Sequence, residues 1–391
     1  MENAPAHNDA RAIPRIQVRF GLLIAIAAIA LSACLGCAAD DADRAGGDQS
    51  EPRIVVELVA ELGEDEYPGA IGDAIARASR LRDGRFLASS HGDRGEVAVF
   101  DSTGRYLYRF GRLGQGPGEF QVPAFHWLDP TFDTLVVVDP WGGRLTKLSA
   151  NGQETFGTHS FPLFNVSGLL FRDDGTMIVS SPRPTMDAIV QPLHLISKEG
   201  TILQSFGSNQ PMVYTNRATS LLSRRVALSG PEHLWVAHSR EYTIERWSVE
   251  GELIESFSPE LEWFPPEAGQ RGFPRAPYDD PPSNKITGVW EDEEGRLWVV
   301  VCVPTRDWRK QFQPVDDPTA RRPYELIGFD EELWDSRLQV WQPSGWRLLA
   351  DTVVTGGWFG AFGAGYGYSR HLDGPGFPRL RVWHAEMSYS R

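Results

Sequence analysis

The chain has 391 residues, of which 41% are hydrophobic and 11% aromatic, too apolar a composition for a disordered chain. Its 52 acidic residues outnumber 38 basic ones, and the net charge of −14 lacks the basic footprint of a nucleic-acid binder. Three cysteines cannot make a disulfide framework, and 39 glycines with 28 prolines point to many turns and few long helices.

The first predicted element is an export signal. Arg11, Arg15 and Arg19 precede an uncharged, mostly apolar run over residues 20–33. As a helix this run would span about 21 Å at ~1.5 Å per residue, short of the ~30 Å hydrocarbon core, so it has signal-peptide length. It ends in Leu31-Ser32-Ala33-Cys34, which resembles the bacterial lipobox. There the small residues fit a signal-peptidase pocket and the cysteine sulfur takes the lipid. Cys34 is the expected attachment site. Cys37 has a poorer context, with Cys34 and Gly36 before it. Residues 1–33 are therefore expected to be a lipoprotein signal peptide. Residues 34–52, small, polar and acidic, are expected to be a flexible tether. Cys302, within an apolar run, reads as a buried structural thiol.

From residue 53 onward one segment recurs. It reads Val97-Ala98-Val99-Phe100-Asp101, and returns at Leu145, Leu193, Ile244, Leu338 and Leu380, at intervals of 48, 48, 51, 94 and 42 residues. Its first and fourth positions are apolar and its fifth is polar. Gly104, Gly152, Gly200, Gly251 and Gly345 follow three residues later. Each copy reads as a strand ending in a glycine turn and followed by a second strand. Further β-rich runs lie upstream, at 85–89, 134–138, 176–180, 233–238, 296–301 and 366–371. Four antiparallel strands per unit of about 40–50 residues is the signature of a propeller blade. The last copy has no glycine turn after it, so blade six lacks an outer strand. The unpartnered run 53–62 is predicted to supply it and close the ring. The expected fold is thus all-β, a six-bladed propeller over 53–391. Loop insertions are expected near 259–285 and 303–336, the second between the second and third strands of blade five.

The stretch Phe110-Gly111-Arg112-Leu113-Gly114-Gln115-Gly116-Pro117-Gly118-Glu119-Phe120 looks like the loop of six-bladed, NHL-repeat-like propellers of bacterial cell-surface lipoproteins. The resemblance covers about residues 53–388. It implies the fold and an envelope location, and it brings little activity, since fold does not set function.

Candidate chemistry is sparse. No helix follows the 114–118 loop to hold a phosphate, so it reads as a blade-to-blade turn, and 363–367 reads as a twisted strand. The acidic run 291–294 reads as a solvent-facing hairpin turn. No histidine or cysteine cluster has metal spacing and no Gly-x-Ser-x-Gly is present, so no metal, cofactor or catalytic set is expected. His126 falls in the inner strand of blade two, where it could face a ligand. His91 and Arg94 in blade one, Arg144 in blade two, and Arg240 and Tyr242 in blade four occupy second-to-third-strand loops, on the usual binding face. The expectation is an exported, lipid-anchored monomer on the periplasmic or outer side of the envelope. It would bind or scaffold a protein, peptide or glycan at that face, and no nucleic acid. The alternative is a metal-dependent lactonase- or lyase-like propeller enzyme with its site at the channel.

Overall fold

The computed structural model describes residues 52–72, 75–90, 95–130, 133–184, 190–208, 222–265, 281–315, 324–327, 330–358 and 360–389, all within the unit Ser50–Arg391. The signal peptide, Cys34, Cys37 and nearly all of the tether lie outside the described residues, as do His91 and Arg94.

Six four-stranded antiparallel sheets form the blades of a propeller. Strand β1 (Pro52–Leu62) is first in the chain. Blade one is β2 (Ile75–Arg80), β3 (Phe86–Ser90), β4 (Glu96–Phe100) and β5 (Tyr106–Gly111). Blade two is β6 (Phe125–Leu128), β7 (Thr134–Asp139), β8 (Arg144–Ser149) and β9 (Thr155–Ser160). Blade three is β10 (Gly168–Phe171), β11 (Met177–Pro184), β12 (Val190–Ile196) and β13 (Ile202–Phe206). Blade four is β14 (Arg224–Ser229), β15 (His233–His238), β16 (Ile244–Ser248) and β17 (Leu253–Phe257). In blade five, β18 (Lys285–Glu291) and β19 (Leu297–Pro304) precede a separate ribbon of β20 (Phe312–Pro314) and β21 (Tyr324–Leu326). Then come β22 (Trp334–Gln342) and β23 (Arg347–Val354). Blade six has β24 (Gly360–Gly363), β25 (Tyr366–Leu372) and β26 (Pro378–Tyr389), and β1 is its outer strand.

That last pairing is the predicted closure. β1 runs antiparallel to β26 from Pro52 opposite Tyr389 to Leu62 opposite Leu380. A bulge between Leu58 and Ala60 leaves Leu58 and Val59 facing solvent and restores the apolar register at Ala60 and Leu62.

The middle strands are buried on both faces, because each blade is sandwiched by two others, and alternation divides their side chains between the two interfaces. In β4, Val97 and Val99 pack toward blade two, while Ala98 and Phe100 pack toward blade six. In β7, Leu135 and Val137 face blade one, while Val136 and Val138 face blade three. In β19, Leu297, Val299 and Val301 face blade four, and Trp298 and Val300 face blade six. Six apolar layers result, one between each pair of neighbouring blades.

The repeated glycine has two causes. In blade three, Gly200 takes φ 87° and its N–H donates to the Ser197 carbonyl at 2.9 Å. A Cβ there would also lie 2.0 Å from the carbonyl oxygen of Ser160, the last residue of blade two's outer strand. Gly345 has a similar φ of 82° but open space around it.

Two expectations are corrected. Residues 363–367 are not one continuous strand: Gly363 ends β24 and Tyr366 and Gly367 open β25. Ala364 (φ 49°) and Gly365 (φ 81°) form the tight turn between β24 and β25, consecutive positive φ values being what a two-residue hairpin requires. The blade-five insertion is not merely a loop. It carries two short 3₁₀ turns, the β20–β21 ribbon and its own core of Cys302, Trp308, Leu333 and Trp334. Cys302 is buried there, as expected.

Gly200→Ala and Gly345→Ala separate the two causes. Alanine at positive φ alone costs about 1–2 kcal/mol, which is the loss expected at 345. At 200 the displaced carbonyl contact adds to it, and denaturant melts should show a loss at least twice as large. Equal losses would mean that the inter-blade contact does not matter.

Candidate functional site

The inner strands β2, β6, β10, β14, β18 and β24 each form one edge of their sheet, and together they line a cavity of about 190 Å³ at the ring centre. Small residues let them converge: a Cβ on Gly288 would fall 2.5 Å from that of Ala361, across the blade five–six boundary.

The lining is cationic. Arg77 and Arg80 come from β2 and Arg225 from β14, and no carboxylate is among the described lining residues. Each guanidinium is steadied by neutral groups. Arg77 donates to the Val166 carbonyl at 3.4 Å and lies 5.3 Å from the Phe125 ring centre. Arg80 sits 4.0 Å over the Tyr366 ring, and its buried Nε has no hydrogen-bond partner. Arg225 donates to the carbonyls of Ser167 and Ile286. Half-buried by accessible surface, Arg225 is nonetheless enclosed by the inner strands. That burial, followed by the neighbouring charge of Arg77, pulls its pKa down to about 10, still protonated at neutral pH.

His126 completes the lining from β6. Its Nδ1 lies 3.0 Å from Ser79 Oγ, and its buried Nε2 has no partner. Burial lowers its pKa to about 3, so the imidazole is neutral at neutral pH.

The loop positions expected on the binding face divide. Arg240 is half-buried and is not among the residues that line the cavity, although its charge acts on Arg225. Arg144 is committed to the glycine-rich loop: it donates to the carbonyls of Gly114 at 2.9 Å, Gln115 at 2.6 Å and Gly116 at 3.3 Å. The fully buried Asp139 beside it accepts the N–H groups of Gln121, Val122 and Gly142. The loop is therefore a braced turn between blades one and two. Tyr242 sits in the core rather than on the loop face. It donates to Gln339 and accepts from Trp341 Nε1 at 3.0 Å, and burial pushes its hydroxyl pKa up. The acidic run is likewise structural: Glu291 accepts from Ser229 and Trp235 of blade four, and Asp292 accepts from Trp298 at 2.8 Å.

Arg77, Arg80 and Arg225 were not singled out by the sequence reading. Their signal was present: Ile75-Ala76-Arg77-Ala78-Ser79-Arg80 and Arg224-Arg225-Val226 put arginine into strands whose position in the blade calls for enclosure. A second cavity, of about 460 Å³, lies between blades two and three. There Trp127 stacks on Phe171 at 5.0 Å, and Lys147 and Lys198 are matched by Asp129, Asp173 and Asp174.

Comparison with known proteins agrees with the fold. A family model described as a 6-bladed beta-propeller, DUF5128, matches residues 81–183. A DUF4221-family protein from Bacteroides vulgatus superposes with a TM-score of 0.54 at 11% identity, over 88% of this chain and 100% of that one. A protein of Bacteroides fragilis that its description proposes to be exported gives a TM-score of 0.51 at 13% identity, over 85% and 95%. No curated protein matches. At such identities the likeness establishes the six-bladed fold.

Two buried histidines set a pH dependence. His194 has Ser205 Oγ 2.8 Å from Nδ1 and the Ser181 carbonyl 2.7 Å from Nε2, and burial lowers its pKa to about 4. The folded values of His126 and His194 lie below the ~6.5 of an unfolded histidine, so the unfolded chain binds more protons in acid. Their contribution is fully present above pH ~6.5 and is lost as the pH falls from there toward 3–4. Denaturant midpoints of wild type should therefore fall between pH 6.5 and 4.5, above the carboxylate range. The double variant His126→Gln/His194→Gln should show a flatter slope there, and an unchanged slope would contradict neutral burial of these rings.

Proposed function

We propose that the chain is an exported, lipid-anchored binding module, tethered through Cys34 on the periplasmic or outer side of the envelope, whose ligand is taken up at the central channel. The observation that carries this reading is the convergence of polar side chains from opposed blades on a cavity that packing alone would fill with apolar groups. The loops around its mouth support a larger partner. The connections after outer strands and those between second and third strands share one face, and both long insertions, 259–285 and 303–336, fall among them. A protein, peptide or glycan carrying the ligand group would meet this face.

The lining favours binding over metal chemistry. His126 is the metal-ligand type among the lining residues, and Arg77, Arg80 and Arg225 around it repel a cation.

Native mass spectrometry of the protein extracted from its own envelope reads both halves of the proposal. The expected spectrum shows a lipid mass that disappears in Cys34→Ala, and a small-molecule adduct released on unfolding. Ala361→Phe, whose ring would fill the cavity, should lose the adduct and keep the lipid. Lipid retained in Cys34→Ala with Cys37 intact would move the anchor, and an adduct retained in Ala361→Phe would move the ligand out of the channel.

A further inference from the structure

We propose that the central cavity is a site for a small oxyanion, a carboxylate or phosphate group, held among the guanidiniums of Arg77, Arg80 and Arg225 with a hydrogen bond from His126 Nε2. The inference rests on the channel being the ligand site and names what the channel takes.

The first argument is a contrast within this one fold. Several arginines that the propeller encloses elsewhere are given a carboxylate. Arg379 pairs with Asp65 and Asp373, Arg296 with Asp292, Arg337 with Asp351, and Arg109 with Glu96. Arg224, next to Arg225 in the chain, feels the charges of Glu241 and Glu245. Acids are plentiful in a chain of net charge −14. Arg77, Arg80 and Arg225 nevertheless have no carboxylate at ion-pair distance among the described residues. They are held by carbonyls and aromatic faces alone. Those neutral groups orient a guanidinium and leave its charge unspent. An enclosed charge without a counter-charge is unfavourable, and an anion between the three would supply it.

The second argument is hydrogen bonding. Buried nitrogens are ordinarily paired. Of the eight buried side-chain nitrogens without a hydrogen-bond partner among the described residues, two line this cavity: Arg80 Nε and His126 Nε2. The Ser79 hydroxyl can donate to Nδ1, and in that tautomer the neutral imidazole carries its hydrogen on Nε2. Both orphans are then donors, as an oxyanion requires, and no acceptor is left over.

The third is size. At about 190 Å³ the cavity lies below the ~300–1,000 Å³ of pockets for drug-sized ligands, and it suits one oxyanion group with a short stem. The larger cleft between blades two and three holds three aspartates against two lysines and makes no such demand for an anion.

The test is calorimetric titration of the mature protein, with inorganic phosphate and malonate as separate arms and sodium chloride at matched ionic strength as the control, followed by thermal melts. One or both oxyanions should bind at one site and raise the melting temperature, chloride should not, and the stronger arm identifies the group. Arg77→Gln and Arg80→Gln should each weaken binding at least tenfold, Arg77→Lys less. Arg105→Gln, an exposed residue of blade one, should leave binding unchanged. Without anion, Arg77→Gln should melt at or above the wild-type temperature, since it relieves repulsion with Arg225; a purely structural arginine would lower it. Arg80→Gln keeps the test decisive if Arg77→Gln does not fold. Absence of saturable binding by either oxyanion, or equal binding by the Arg77 and Arg80 variants, would overturn the proposal. In that case a native adduct still lost in Ala361→Phe would leave the channel as the site of a neutral ligand, and its retention would remove both readings.

Discussion

The structure depends on contact between blades. No blade has two covered faces of its own, so the valines, leucines and aromatics of each middle strand are split between two neighbours, and burial is complete only when all six layers exist. The layer between blades six and one is the one that chain connectivity does not supply in sequence order. It is built from Leu62 and Ala60 of β1 and Leu380 and Val382 of β26 against Phe86, Ala98 and Phe100. The β1–β26 ladder therefore does more than cover an edge. It joins the first strand of the propeller to the last.

Closure also explains why a site can sit at the centre. The apolar layers lie between the blades and carry the packing, while the inner strands meet at the axis with small residues and leave a cavity. Side chains there are not needed to fill a core, so they can be cations held by carbonyls and ring faces. The same enclosure that draws the arginine charges together keeps His126 neutral. On the proposed reading, a site of this kind takes some stability from the ring, and a bound counter-charge would return it.

The blade plan was legible because its signals are local and repeated: an apolar run of period two, a polar residue and a glycine. The glycine recurs for reasons that Gly200 makes plain, a positive φ and a neighbouring carbonyl with no room for a Cβ. Closure was legible as a deficit, one strand too few at the end and one too many at the start. His126 was legible as an inner-strand polar residue. The three channel arginines were not singled out, because nothing local separates an arginine facing the axis from one paired on the surface. That distinction depends on six strands distant in sequence. Tyr242 was misplaced for a related reason: its loop turns inward to meet Gln339 and Trp341 of blade five, about a hundred residues away in sequence. The insertion after β19 hid its own small core because Trp308, Leu333 and Trp334 follow no period.

Native-state hydrogen exchange of the β1 amides tests the central claim, that β1 is the element whose pairing holds the ring and its cavity together. If so, the hydrogen-bonded amides of β1 will exchange only through global opening, with the same free energy and denaturant dependence as those of β15 and β19. Exchange of β1 through a separate low-energy opening, with the middle strands still fully protected, would show that the ring stands without it.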